Sequence, residues 1–253
     1  MFFETISPKY VMAQGGTSEG TQVKYRKGMY WYKEDHLGEE GQVEYLISRL
    51  LTFSNLKKDE YILYEPGMIN GKKGCRSRNF LQPNMELVTF YRLYQNVTGE
   101  NLAEVVGAMD TMEERIAYVE KFIGEVCRID IREYLSKIFF LDMISLNEDR
   151  HFNNLAVLYD GNRFRPAPIF DNGVALLTAN RSVNWKLPIE ENVKRVIARP
   201  FSGDHEKMAR YFGRGFLLKT DEIKKWLRTE EDTTERNVLM YQIERYEHLF
   251  KIS

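Results

Sequence analysis

Two short stretches hold the residue types that phosphoryl transfer needs: Asn147-Glu148-Asp149-Arg150-His151-Phe152-Asn153-Asn154 and Ile169-Phe170-Asp171-Asn172-Gly173. Moving the γ-phosphate of ATP onto an alcohol requires a carboxylate to orient the acceptor hydroxyl. It also requires a separate amide and carboxylate to hold the Mg2+ ions that neutralise the phosphates. Asp149 has the chemistry for the first role, and Asn154 and Asp171 for the second. Between the two stretches, residues 155–159 and 164–169 read as strands joined by Asp160-Gly161-Asn162, a hairpin signal that returns Asp171 beside Asp149 and Asn154. Asp, Arg, His and Asn also gather in ordinary surface loops. Asp-Arg-His with Asn three places on arises by chance on the order of once in several hundred chains, and the downstream hairpin makes coincidence rarer still. His151 either braces this loop by hydrogen bonding or touches the nucleotide.

The elements upstream must bring a cation to the phosphates. Residues 23–25 and 29–33 read as strands separated by Arg26-Lys27-Gly28, and Lys33 ends the second of them. Ahead lies Gly15-Gly16-Thr17-Ser18-Glu19-Gly20, a loop whose backbone amides at Gly16, Thr17 and Ser18 are the candidates for cradling phosphate. The glycines do not form Gly-x-Gly-x-x-Gly, and there is no Walker lysine motif. A helix follows over residues 39–53, with Val43, Leu46, Ile47, Leu50 and Leu51 on one face. Glu44 borders that face and is the preferred partner for Lys33, with Glu40 one turn earlier on the same side. Strand alternation puts Met29 and Trp31 on the Lys33 face, so Trp31 either stacks on a base or fills part of its pocket. Adenine is expected to meet the strand linking the two halves, near Arg78-Asn79-Phe80-Leu81, with Arg78 and Phe80 as its contacts.

Further strands are expected at 61–64, 75–81 and 87–93, and helices at 111–126, 131–146, 190–198, 221–228 and 235–251. Pro66-Gly67 and Asn70-Gly71 read as turns. The fold class is therefore α+β, one domain with a small β-rich N-lobe over 1–92 and a larger helical C-lobe over 93–253; its bilobal protein-kinase-like form is what the resemblance described below implies. The 253 residues are 43% hydrophobic and 13% aromatic, ample for a core. The 36 basic and 37 acidic residues leave a net charge of -1, which gives no broad footprint for nucleic acid or an anionic membrane. Cys75 and Cys127 lie far apart, without neighbours at metal-ligand spacing, and two free thiols fit the cytoplasm. The N-terminus lacks a secretory pattern, and the longest apolar stretch, 138–143, is broken by Asp142, so no membrane partner is expected.

The segment Asn-Glu-Asp-Arg-His-Phe-Asn-Asn with Pro-Ile-Phe-Asp-Asn-Gly resembles the catalytic segment of the HipA-like kinases, the bacterial toxin-type serine/threonine kinases. Their fold is related to that of the phosphatidylinositol 3- and 4-kinases, which share the Asp-Arg-His-x-x-Asn pattern. The resemblance runs more loosely from the glycine loop to about residue 205, taking in Arg199-Pro200-Phe201-Ser202. The five-residue step from Asp149 to Asn154 also matches protein-kinase catalytic loops. The resemblance implies ATP and Mg2+ as reactants, Asp149 as catalytic residue, and Asn154 and Asp171 as metal ligands. It also implies a protein Ser/Thr hydroxyl as acceptor, with autophosphorylation of the glycine loop at Thr17, Ser18 or Thr21. Full-length toxin kinases carry a segment ahead of the glycine loop for which this chain has little room, so an antitoxin partner of the helix-turn-helix type stays open but unsupported by the sequence. No Ala-Pro-Glu segment follows Asp171. Two other readings stand beside it. One is a lipid or small-molecule kinase, against which Arg181, Lys186, Lys194, Arg195 and Arg199 are spread out rather than clustered. The other is an inactive nucleotide-binding module acting through a protein partner, against which the intact Lys33, Asp149, Asn154 and Asp171 set argues.

Overall fold

In the computed structural model the described residues are 1–12 and 22–250, so the phosphate-loop candidates Gly16, Thr17 and Ser18, with Thr21, lie outside them. The N-lobe is a five-stranded sheet in the order β1-β4-β5-β3-β2, formed by Phe2–Glu4, Tyr64–Ile69, Lys72–Arg78, Tyr30–Glu34 and Lys24–Lys27 respectively. The β2–β3 hairpin turns at Gly28-Met29, with Gly28 at φ +60°. Met29 is consumed by that turn and lies exposed, so it does not share the Lys33 face as the sequence suggested.

One helix, α1 (Glu40–Leu51), covers the sheet with Val43, Leu46, Ile47, Leu50 and Leu51 buried. Its approach is set by backbone contact: a Cβ on Gly41 would lie 2.5 Å from the carbonyl carbon of Gly74 in β5. Gly41→Ala should therefore lower stability by about 1–3 kcal/mol through overpacking, outweighing the roughly 1 kcal/mol that alanine gains over glycine in a helix. A denaturant midpoint at or above that of the wild type would show that α1 can shift without cost.

Strand β4 runs straight through Pro66-Gly67, which the sequence marks as a turn, and begins only at Tyr64, where the predicted strand 61–64 ends. The parallel ladder with β1 starts at Gly67, so Pro66 lies before that pairing begins, and the Phe2 ring packs into the space a Gly67 side chain would fill. The predicted strand 87–93 also stops early. After β6 (Glu86–Thr89), the Thr89 side chain accepts the Arg92 N–H and opens α2 (Phe90–Thr98). β6 pairs with β7 (Ala156–Tyr159), which pairs with β8 (Phe164–Pro166), so this second sheet lies with the helices. Residues 79–85 link the two sheets.

The helical lobe comprises α3 (Leu102–Gly107), α4 (Met112–Cys127), α5 (Arg132–Ser145), α6 (Ile189–Val193), α7 (His205–Phe212), α8 (Thr220–Leu227), α9 (Thr234–Arg245) and α10 (Glu247–Phe250). The helix expected at 190–198 shrinks to α6, because the chain then folds back with Ala198 N–H on Gly203 O at 3.0 Å. The one expected at 235–251 divides at Tyr246. Helix α5 is central and buried on nearly every side. The ring of Phe201, from the Arg199-Pro200-Phe201-Ser202 segment, packs edge-on against Phe139 of α5 and Phe152 of the following loop. Among the described residues no helix is long and apolar enough to cross a membrane.

Candidate active site

The site is built around one buried arginine. Helix α5 ends at Leu146, in the left-handed region at φ +57°, and residues 147–154 wrap around Arg150, which is fully buried. Arg150 Nε and Nη2 each donate to an Asp142 carboxylate oxygen at 2.9 Å, and Nη2 also reaches Asn172 Oδ1 at 2.6 Å. Nη1 donates to the carbonyls of Phe170 and Asn154 at 3.2 and 3.3 Å. A single planar fork thus ties α5 to the Asp149 loop and to the Asp171-Asn172-Gly173 segment. No role for Arg150 was read from the sequence. The signal lay in Asp142, a charge inside an apolar run, which must find a buried partner.

Within the loop the backbone of Asp149 is pinned on both sides. Its N–H donates to Asn147 Oδ1 at 2.9 Å, and its carbonyl accepts from His151 N–H and from Asn154 Nδ2, both at 2.9 Å. The Asp149 carboxylate itself remains open to the cleft. Burial raises its pKa above the ordinary value; His151 and Arg199 counter that rise, and Asp171 reinforces it. His151 Nε2 lies 3.7 Å from Asp149 Oδ2, beyond hydrogen-bond distance, and the residue borders the pocket. Asn154 Oδ1 is buried with no hydrogen-bond partner.

Across the cleft, Lys33 Nζ sits 2.7 Å from Glu44 Oε1 and 2.6 Å from Asp171 Oδ1, above the Tyr64 ring. Burial opposes the Lys33 charge, but Asp171 and then Glu44 outweigh it and hold the ammonium well above its usual range. Glu44 Oε2 accepts the Asn172 N–H at 3.0 Å, joining the helix to the Asp171-Asn172-Gly173 segment. Asp171 adopts φ +57°, with its N–H 3.4 Å from Tyr64 OH. Glu40 serves a different purpose, since its carboxylate accepts the backbone N–H groups of His36, Leu37 and Gly38. Lys24 was missed in the sequence. It pairs directly opposite Lys33 in the hairpin and lies 3.7 Å from Asp171 Oδ2, while burial, ahead of Asp171's opposing attraction, lowers its pKa.

Lys24 and Asp171 also border both of two adjoining spaces. The larger, about 390 Å³, is lined by Trp31, Ser77, Phe80, Leu81, Met85, Leu87 and Phe170. The smaller, about 80 Å³, contains Asp149, His151 and Asn154. Phe80 and Trp31 therefore border the apolar end, and Trp31 Nε1 donates to Asn79 Oδ1 at 3.1 Å. Arg78 does not border it. Ser77 is the inward residue at the end of β5, so alternation turns Arg78 outward, where it is exposed.

The residues present fit a magnesium ion. A buried, unpartnered amide oxygen and one carboxylate are hard ligands, and magnesium completes its shell with water and phosphate rather than with an all-protein cage.

A five-stranded sheet with one helix, set over a helical lobe with a buried Lys–Glu–Asp cluster at the junction, defines the protein-kinase-like class of fold. The crystal structure of the Helicobacter pylori proinflammatory kinase CtkA is similar, with a TM-score of 0.65 at 16% identity, covering 97% of this chain and 92% of that one. A chain of the Shewanella oneidensis toxin–antitoxin complex of HipA, HipB and operator DNA is similar at a TM-score of 0.51 and 10% identity. That match covers 95% of this chain and 63% of the other. The fold implied by the HipA-like resemblance is the fold observed. No model of a known protein family matches the chain, and neither does any curated protein.

Proposed function

We propose that the chain is an ATP- and magnesium-dependent phosphotransferase acting on a Ser/Thr hydroxyl of a protein. One observation supports this reading: two adjoining spaces share Lys24 and Asp171, a largely apolar one of about 390 Å³ that Lys33 also borders and a smaller polar one bordered by Asp149 and Asn154. The apolar space falls within the roughly 300–1,000 Å³ usual for small-ligand pockets. A base would lie between Trp31 and Phe80, with the phosphates directed at Lys33 and Lys24. Asn154 and Asp171 would hold the magnesium ion, which when bound neutralises phosphate charge. Glu44 orients Lys33, whose charge is fixed by its surroundings. Asp149 aligns the acceptor hydroxyl and takes up its proton.

The test is incubation of the protein with Mg2+ and γ-labelled ATP, followed by mass spectrometry of the protein and of added acceptors. Phosphate should appear on protein Ser or Thr, with Thr17, Ser18 and Thr21 as local candidates, and should vanish when the metal is chelated. Label entering only lipids or metabolites would reassign the acceptor. Absence of nucleotide binding would overturn the phosphotransferase reading itself.

A further inference from the structure

The surface beside Asp149 carries features the transfer chemistry does not use. Glu148 adjoins the catalytic carboxylate: its N–H donates to Val174 O at 3.1 Å, its Oε1 accepts from Asn180 Nδ2 at 2.9 Å, and the Ile197 N–H faces its carboxylate. The segment from Val174 to Asn180 is thereby anchored to the Asp149 loop. Residues further along are tied together in turn. Asn192 accepts the Asn184 N–H at 2.8 Å and directs its own amide toward the carbonyls of Asn184, Leu187 and Pro188, while Arg195 Nη1 donates to Ser182 O at 3.2 Å.

From this compact knot three large apolar side chains face solvent: Trp185 at 55%, Leu187 at 36% and Ile197 at 64% exposure. Single exposed apolar residues are ordinary, but three within thirteen positions of a segment tied to the Asp149 loop make it a candidate binding surface. Leu37, 51% exposed, borders the pocket of Asp149 from the N-lobe side. Charge adds direction. Residues 181–199 hold Arg181, Lys186, Lys194, Arg195 and Arg199 against Glu190 and Glu191, and Lys194 is paired with Glu191. Arg199 is exposed, and its charge acts on both Glu148 and Asp149.

A metabolite small enough for the pocket of about 80 Å³ gains nothing from apolar side chains outside it. A polypeptide whose hydroxyl enters that pocket must lay its flanking residues on the surrounding surface. We propose that Trp185, Leu187, Ile197 and Arg199 form a docking platform for an acceptor polypeptide bearing an apolar side chain and a carboxylate beside the Ser/Thr hydroxyl. This inference rests on the phosphotransferase reading and specifies its acceptor class.

The test uses the full chain and two variants, Ile197→Asp and Arg199→Glu, both at exposed positions. Fluorescein-labelled Ser peptides flanked by Leu and Asp, or by Ala and Lys, are titrated by anisotropy; ATP binding is measured separately by calorimetry. The Leu/Asp peptide should bind, each variant should weaken it about tenfold or more, and Ile197→Asp should leave ATP affinity unchanged. Equal binding of both peptides, or unaltered binding by both variants, overturns the platform. Loss of binding to phosphatidylserine vesicles in the variants, with no peptide bound by any form, overturns it in favour of a membrane surface. Peptide binding that follows the expected pattern without any ATP binding supports the platform and instead overturns the phosphotransferase reading.

Discussion

Asp149→Asn should lower the rate of phosphoryl transfer by about 10²–10⁴-fold, the usual contribution of a positioned acid–base group, while leaving nucleotide affinity and thermal stability close to those of the wild type. The substitution is sterically conservative. The loop hydrogen bonds from Asn147, His151 and Asn154 reach the backbone of residue 149 rather than its side chain, so the turn survives the change. What disappears is the capacity to accept the hydroxyl proton. The same carboxylate predicts a pH profile. Its pKa is raised by burial above the ordinary 3.8, and only the ionised form can act, so the wild-type rate should decline on acidification before a solvent-exposed aspartate would titrate. Initial rates across mildly acidic to neutral pH measure both effects. An unchanged rate in Asp149→Asn would remove this residue from the chemistry.

Arg150→Met should cost about 3–5 kcal/mol of stability, because it leaves the Asp142 carboxylate buried without its counter-charge. The double substitution Asp142→Leu with Arg150→Met should recover much of that loss, since apolar groups of similar volume commonly replace a buried pair without penalty. Phosphoryl transfer should not recover with it. The guanidinium also holds the Phe170 and Asn154 carbonyls and the Asn172 amide, and no apolar side chain can restore those bonds. Chemical denaturation and transfer assays on the three variants separate the two roles. If the double variant regained full activity, Arg150 would be a folding residue alone.

The parts of the site that could be read in the sequence are those whose chemistry is confined to a continuous segment. Asp149 and Asn154 sit five apart because one loop must present both, and the hairpin that returns Asp171 is announced by Asp160-Gly161-Asn162. Features that depend on pairing between distant segments were not legible. Helical periodicity singled out Glu44 as the preferred partner of Lys33, and the two do pair; it gave no role to Glu40, whose carboxylate secures the preceding turn. Lys24 needed the cross-strand register, which depends on a turn at Gly28-Met29 rather than one residue earlier, and a one-residue slip reverses every side chain. Arg78 failed for the related reason that β5 ends at that residue, with Ser77 as its inward member. The aromatic run after Leu87 has strand composition, yet the Thr89 cap turns it into a helix.

The contact between Lys33 and Asp171 joins positions 138 residues apart. Closing a loop of that length costs on the order of 4 kcal/mol in chain entropy, to be offset only when the intervening helices have packed. Neither half of the chain can hold the cluster alone. During synthesis, the Lys33–Glu44–Asp171 cluster therefore cannot assemble until residue 171 has emerged and the helical lobe has closed on the sheet.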